Sequence, residues 1–391
     1  MTSPLLHEQR INAPANQVVF LQPTGYAQPA VKKNAGFVVA IIALVLLAFI
    51  FIAVVAFMMS FLGSGAVIGC SLVALIPLTV VLLTAAWVDR WEPEPRLALA
   101  FAFLWGAGMS VLLSLLVDTA VQVSLMVTGA TGSEVMSTVV QAPLVEEASK
   151  GAGLLLVLLV WRKTFDGVVD GLVYAMVIAA GFAFTENILY FGDALATSGS
   201  MGLTETFVLR GILSPFAHAM FTACTGFALG FAVSRGGGYR IPTYFVVGLA
   251  GAISLHALWN GSTYVNFFAL YALVQVPMFS LCIWFVFIVR RQERLLTERR
   301  LMEYAAAGWF SPGEVHMLAT KKGRAGAKRW AKLQDEPHRR AMQALLSQST
   351  RLAYTRQRIV TGHDRAGSIA LEAELLRSTA ELRRFLSGDF R

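Results

Sequence analysis

Residues 138–160 read TVVQAPLVEEASKGAGLLLVLLV. As a helix rising 1.5 Å per residue, a stretch of this length spans the ~30 Å hydrocarbon core of a bilayer. It nevertheless holds Glu146, Glu147 and Lys150. Each such group costs roughly 2.5–3.5 kcal/mol at the centre of a membrane helix, even on the lenient insertion scale. A span that keeps them is using them. The stretch therefore reads as one helix of a membrane bundle with a polar interior.

Working outward, the whole chain fits that reading. It is 56% hydrophobic and only 14% charged, where a soluble domain carries about 25% charged residues. Apolar runs lie near 37–59, 65–88, 97–118, 138–160, 168–191, 212–233, 242–263 and 267–289. Each is close to the ~20 residues a spanning helix needs. The expected fold class is all-α, a polytopic membrane helix bundle of about eight transmembrane helices with a cytoplasmic helical C-terminal tail. Lys32/Lys33, Arg90/Arg96, Arg162/Lys163, Arg235/Arg240 and Arg290/Arg291 flank alternate ends of the runs. The opposite connections hold only Arg210. Positive charge collects on the cytoplasmic side, so both termini are expected inside a multi-pass protein of the cell membrane.

The expected organisation has three parts. Residues 1–36 are Gln-, Pro- and Asn-rich without periodicity and read as a disordered cytoplasmic arm. Residues 37–290 form the transmembrane domain, and 291–391 a basic helical tail. From Arg290 onward the chain has 21 Lys+Arg against 11 Asp+Glu, whereas the preceding residues hold 11 against 13. The basic charge thus belongs to the tail, which suits attraction to anionic lipid headgroups. No nucleic-acid recognition motif is present, and no nucleic-acid partner is expected. Helices are expected over Ala341–Val360 and Ile369–Leu386, and Ser311 with Glu314 reads as a helix start. Cys70, Cys224 and Cys282 lie in apolar runs without metal-ligand spacing and read as packing residues.

Four polar motifs interrupt the apolar runs. They are Glu146-Glu147-x-x-Lys150, Phe182-x-x-x-Glu186-Asn187, His218-x-x-x-Thr222 and His256-x-x-Trp259-Asn260. Measured along alternating helices, Glu146, Glu186, His218 and His256 each lie about 8–12 Å from the outer edge. Glu146/Lys150, Phe182/Glu186, His218/Thr222 and His256/Asn260 are i,i+4 pairs, so each motif shares one helix face. Those faces turned inward make a single polar site.

Two hydrolytic schemes suit such a site. In one, a carboxylate of the Glu146/Glu147 pair acts as general base on a water, beside Lys150, while His256 and Asn260 hold the oxyanion. In the other, His218, His256 and a glutamate, Glu186 in the candidate set, bind a zinc ion, and a remaining glutamate serves as base. Asn187 and Thr222 are supporting residues. No Ser or Cys nucleophile stands out. The competing readings are a proton-coupled transporter or ion relay, and a non-catalytic scaffold of the same fold. Transport predicts polar groups along the full depth and repeat symmetry, whereas the sequence shows one polar layer.

These motifs resemble the PrsW family of intramembrane proteases, within the superfamily that includes CAAX prenyl proteases and bacteriocin-processing membrane enzymes. Asp170-Gly171-Leu-Val-Tyr174 and Glu92-Pro93-Glu94-Pro95 also fit its pattern, and the resemblance covers about residues 37–290. It implies that Glu146 and Glu147 are the catalytic pair, completed by Glu186, His218 and His256. Glu186 stands where the prenyl-protease branch has His, which favours PrsW. The implied activity is cleavage of membrane-anchored signalling proteins, anti-sigma factors among them, near the outer face, with or without a metal ion.

Overall fold

The structure, a computed structural model, describes residues 33–91, 93–162, 164–235, 238–362 and 365–387. The arm expected over 1–36 falls, up to residue 32, outside the described residues, as do Glu92 and Lys163. Every regular element among the described residues is helical. Two compact units emerge, 34–287 and 288–391.

The first unit is the membrane domain. Over its described side chains helix α1 (Lys33–Leu62) is largely apolar and buries a narrow stripe, Ala40, Leu47, Val54 and Met58. Gly63, at φ 84°, turns the chain sharply into α2 (Ser64–Val88), a conformation glycine adopts without steric cost. Helices α3 (Arg96–Leu104) and α4 (Val111–Thr128) join through a π-helical turn, Trp105–Ser110. Helix α5 (Ala142–Val160) is entered through a second π-helical turn, Ser137–Gln141. Helix α6 (Val168–Phe207) runs 40 residues with a kink at Gly199, and a π-helical turn follows at Val208–Leu213. After a break at Ser214–Phe216 come α7 (Ala217–Ser234), α8 (Arg240–Ser262) and α9 (Val276–Ala306).

Among the described residues, six helical stretches are long and apolar enough to cross a membrane. One of them, Val168–Ser234, contains both α6 and α7. Helix α5 is not among the six, because Glu146, Glu147 and Lys150 dilute its apolar character.

Helix α6 is the axis of this unit. Every residue from Val169 to Phe182 is buried, so the segment is enclosed on all sides. Its neighbours come very close. A Cβ at Gly171 would overlap the Gly226 carbonyl, and one at Gly230 the Gly167 carbonyl, so α6 and α7 meet backbone to backbone. Such small-residue contacts supply the packing that holds helices together in lipid. Further along α6 a Cβ at Gly106 would overlap the Ile178 carbonyl, and Thr185 Oγ1 donates to the Ala107 carbonyl at 2.8 Å. The π-helical turn at Trp105–Ser110 is thereby pinned to α6.

The two outlying pieces of the sequence pattern meet at one end of α6. Tyr174 Oη donates to Glu94 Oε2 at 2.6 Å, and both residues are buried. Asp170 accepts from the backbone N–H groups of Asp166 and Gly167 at 2.7 and 2.9 Å, capping the start of α6. Both motifs therefore fix the α2–α3 connection and the α6 N-terminus, away from the four polar motifs.

The second unit is the helical tail. It contains α10 (Pro312–Ala319), α11 (Lys321–Lys332), α12 (Glu336–Thr361) and α13 (Arg365–Ser387) around a cluster that includes Tyr304, Leu318, Leu345, Leu352 and Leu375. The expected helices over 341–360 and 369–386 lie within α12 and α13. Ser311 caps α10: Glu314 N–H donates to Ser311 Oγ at 3.2 Å, and Ser311 N–H to Glu314 Oε2 at 2.7 Å. Helix α11 was not foreseen from the sequence, whose Lys, Arg and Gly content masks it.

Candidate active site

Four helices bring the polar motifs together. Lys150 is their hub, with no exposed surface. Its ammonium donates to Glu147 Oε1 at 2.8 Å, to His218 Nδ1 at 3.2 Å and to Glu146 Oε2 at 3.5 Å. The ring of Phe182 lies 3.8 Å from it, so the cation also rests on an aromatic face.

Glu147 is enclosed. It accepts from Lys150, faces His256 Nδ1 at 3.1 Å through the same oxygen, and takes the Thr222 hydroxyl on the other at 2.8 Å. Every contact ties it to α7, α8 or its own helix, which is an orienting role. Glu146 is different. It lines a cavity of about 420 Å³ together with Glu186, His218, His256 and Asn260. Its Oε2 lies 3.9 Å from His256 Nε2. Adjacent helical residues point about 100° apart, so one glutamate of the pair faces the cavity and the other the packed interior.

Glu186 holds the far side. Its Oε2 lies 2.8 Å from His218 Nε2 and is paired with the Arg210 guanidinium. Arg210 Nε donates to Asn187 Oδ1 at 2.8 Å, and its guanidinium stacks 4.1 Å from the Tyr190 ring. Arg210 belongs to the π-helical turn after α6 and was not among the candidate residues. Its one sequence signal was its solitary position as a cation in the outer connections. Asn260, expected at an oxyanion, lines the cavity while donating to the Thr138 carbonyl at 2.8 Å. It thus also braces the entry to α5.

The electrostatics follow from these pairs. Three carboxylates face one lysine and one arginine, and the closest pairings are Glu147–Lys150 and Glu186–Arg210. Glu146 is left with the weaker share of Lys150 and an open side toward the cavity. It is the carboxylate best placed to meet a water or a cation.

The metal question can be put to the same atoms. One donor atom each from Glu146, His218 and His256 lies within 4.8 Å of the others. Each imidazole has one ring nitrogen held by a carboxylate, His256 by Glu147 and His218 by Glu186. Such outer carboxylates commonly orient metal-binding histidines. His256 Nε2 faces Glu146 Oε2 at 3.9 Å, whereas His218 meets Lys150 through Nδ1 and Glu186 through Nε2, so an ion on Glu146, His218 and His256 would take the place of one of those His218 contacts.

Residues 94–288 match the family described as PrsW family intramembrane metalloprotease. The chain belongs to the PrsW family. Protease PrsW of Clostridioides difficile is 27% identical over 214 residues, covering 54% of this chain and 86% of the relative. Protease PrsW of Geobacillus kaustophilus is 31% identical over 151 residues, or 38% of this chain and 60% of that one. Protease PrsW of Oceanobacillus iheyensis is 30% identical over 129 residues, covering 33% and 54%. No solved structure matches the chain. Membership in PrsW makes the protein an intramembrane peptidase, and so decides between hydrolysis and transport. The matched stretch contains all four polar motifs and ends in α9, before the helical tail.

Proposed function

We propose that the protein hydrolyses membrane-anchored proteins near the outer face of the cell membrane, with Glu146 as the residue that activates water. The observation that carries this is the unequal setting of the two adjacent glutamates. Glu147 is locked among Lys150, His256 and Thr222, while Glu146 opens onto the cavity beside His218 and His256. Glu147 and Glu186 orient the imidazoles, and Lys150 offsets the crowded negative charge. His256, with Asn260 beside it on the cavity wall, donates to the oxyanion that forms on the substrate carbonyl.

In the metal-assisted form of this reading, Glu146, His218 and His256 would instead be the ligands of a zinc-like ion. When bound, it would polarise the substrate carbonyl and lower the proton affinity of its water. The topology that suits this function has eight crossings: α1, α2, α3–α4, α5, α6, α7, α8 and α9, with both termini in the cytoplasm. The basic tail then faces anionic headgroups, and the substrate is a membrane-anchored signalling protein.

The test is turnover by purified protein in liposomes. The probe is a fluorogenic single-span Leu/Ala-rich reporter with a cleavable juxtamembrane sequence. Glu146→Gln should lower kcat by at least about 10³-fold, or ~4 kcal/mol of barrier, with helix content and melting unchanged. Wild-type turnover by Glu146→Gln would end the proposal.

A further inference from the structure

A peptidase buried in a bilayer needs a route by which a membrane-embedded substrate reaches it. Within the membrane domain, α9 stands apart from the bundle. Aromatic side chains hold it there: Phe279 meets Phe216 at 5.6 Å between ring centroids, Phe285 meets Phe227 at 5.0 Å, and Phe287 meets Trp87 at 5.4 Å. Between α7 and α9 these pairs leave an apolar cavity of about 600 Å³. Leu281 and Phe287 line it and are 62% and 53% exposed, so its side opens toward lipid.

Shared wall residues link this cavity to the site. Phe216, Met220 and Phe279 also line a second cavity, of about 250 Å³, and Trp259 forms part of that cavity's wall. Trp259 in turn lines the cavity that holds Glu146, His218 and His256. A chain of shared walls therefore runs from Phe287 to the site. Along α9 the apolar part extends from Val276 to Phe287, about 18 Å of helix rise.

We infer that the α7–α9 groove is the docking surface for the transmembrane helix of the substrate, which lies along it with its outer end directed at Glu146. The inference rests on the proposed function. Three observations choose a helix as the occupant. The groove is apolar and follows a helix axis. Ala219 and Ala223, four residues apart on α7, both line it, and small residues at that spacing admit a close helix approach. Its volume admits a row of apolar side chains and not a whole helix, so the substrate seats one face and keeps the other in lipid.

Two measurements on the full-length protein in nanodiscs test this. In the first, benzoyl-phenylalanine replaces Phe279 in the groove or Leu273, which is 77% exposed, in Glu146→Gln protein. The probe is a biotinylated 24-residue Leu/Ala transmembrane peptide. Adduct should form several-fold more at 279 than at 273. Equal labelling, or adducts with lipid alone, overturns the inference. In the second, Ala223→Trp fills the groove. It should raise KM for the single-span reporter about tenfold, which is ~1.4 kcal/mol, at unchanged kcat. Hydrolysis of a short soluble peptide with the same cleavage sequence should be unaffected. Equal losses on both substrates, or no loss on either, overturn the docking role. Turnover by Glu146→Gln would instead overturn the hydrolytic reading, and the crosslinking result would still judge the groove.

Discussion

Lys150 Nζ and His218 Nδ1, 68 residues apart in sequence, meet at 3.2 Å. A protonated amine has no acceptor capacity, so the contact makes Nδ1 the acceptor and leaves the ring proton on Nε2, directed at Glu186. One buried cation therefore sets the tautomer of a histidine on another helix. It also serves both glutamates of the adjacent pair.

Lys150→Met should remove both effects. Breaking a buried ion pair by deleting one partner costs about 3–5 kcal/mol. Thermal unfolding in detergent should show the loss, and reporter cleavage should fall below detection. Lys150→Arg should not restore activity, because the fully buried ammonium, 3.8 Å from the Phe182 ring, meets its partners as a single point charge that a planar fork does not reproduce.

Arg210 should matter through Glu186 and Asn187. Arg210→Gln is expected to lower kcat roughly 10- to 100-fold, about 1.4–2.7 kcal/mol of barrier, with a smaller change in KM. Arg210→Lys should recover only part of this, since an ammonium does not reproduce the two-point grip of the guanidinium. Steady-state kinetics on the single-span reporter checks both.

Metal content gives an independent readout. Protein purified without chelators should carry one zinc-class ion per chain by elemental analysis. His218→Ala with His256→Ala should carry none, and Glu147→Gln should bind more weakly, because outer-sphere partners typically tune metal affinity by 10- to 100-fold. Fully active protein free of metal would leave Glu146 acting on water unaided.

Among the described residues, Thr222 supplies the one hydrogen bond to Glu147 Oε2, in a fully buried setting. Thr222→Val keeps the shape and deletes the donor. The orphaned acceptor should cost about 1–3 kcal/mol, read as a lower melting temperature.

The tail carries a pH dependence of its own. Burial pushes the Glu314 carboxyl up, but the Ser311 N–H and the Arg383 guanidinium outweigh it and hold the group below its ordinary range. A lowered folded-state pKa contributes stability above the unfolded value, about 4.3, and loses it as pH falls through the folded value. Hydrogen exchange over 311–319, corrected for intrinsic rate, should speed up as pH drops from 5 to 3. Glu314→Gln should be less protected at pH 6 and show little further change.

Much of the site was legible because helices repeat every 3.6 residues. Lys150 with Glu146, and His218 with Thr222, share faces that the spacing alone identifies, and apolar length marks most of the spans. Arg210 was not legible, since its partners lie 23 and 24 residues away across the end of α6, and no periodicity survives such a break. Nor could the sequence say which of Glu146 and Glu147 faces the cavity, because that depends on how α5 is rotated against α7 and α8. Helix α11 was hidden for another reason. Its apolar contacts come from Ala327 and Ala331, too small to register as an apolar stripe.

The glycine seam between α6 and α7 bears on more than packing. Gly171 lies 15 residues from Glu186 along α6, about 22 Å of rise, and Gly226 lies eight residues from His218 along α7. The two helices carry the Glu186–His218 contact like the jaws of a caliper whose zero is fixed at the seam. A single added methyl there would shift one jaw against the other and spoil a reaction it never touches. Loss-of-function variants should therefore gather at Gly171, Gly226 and Gly230, marking a region of the protein that holds no chemistry of its own.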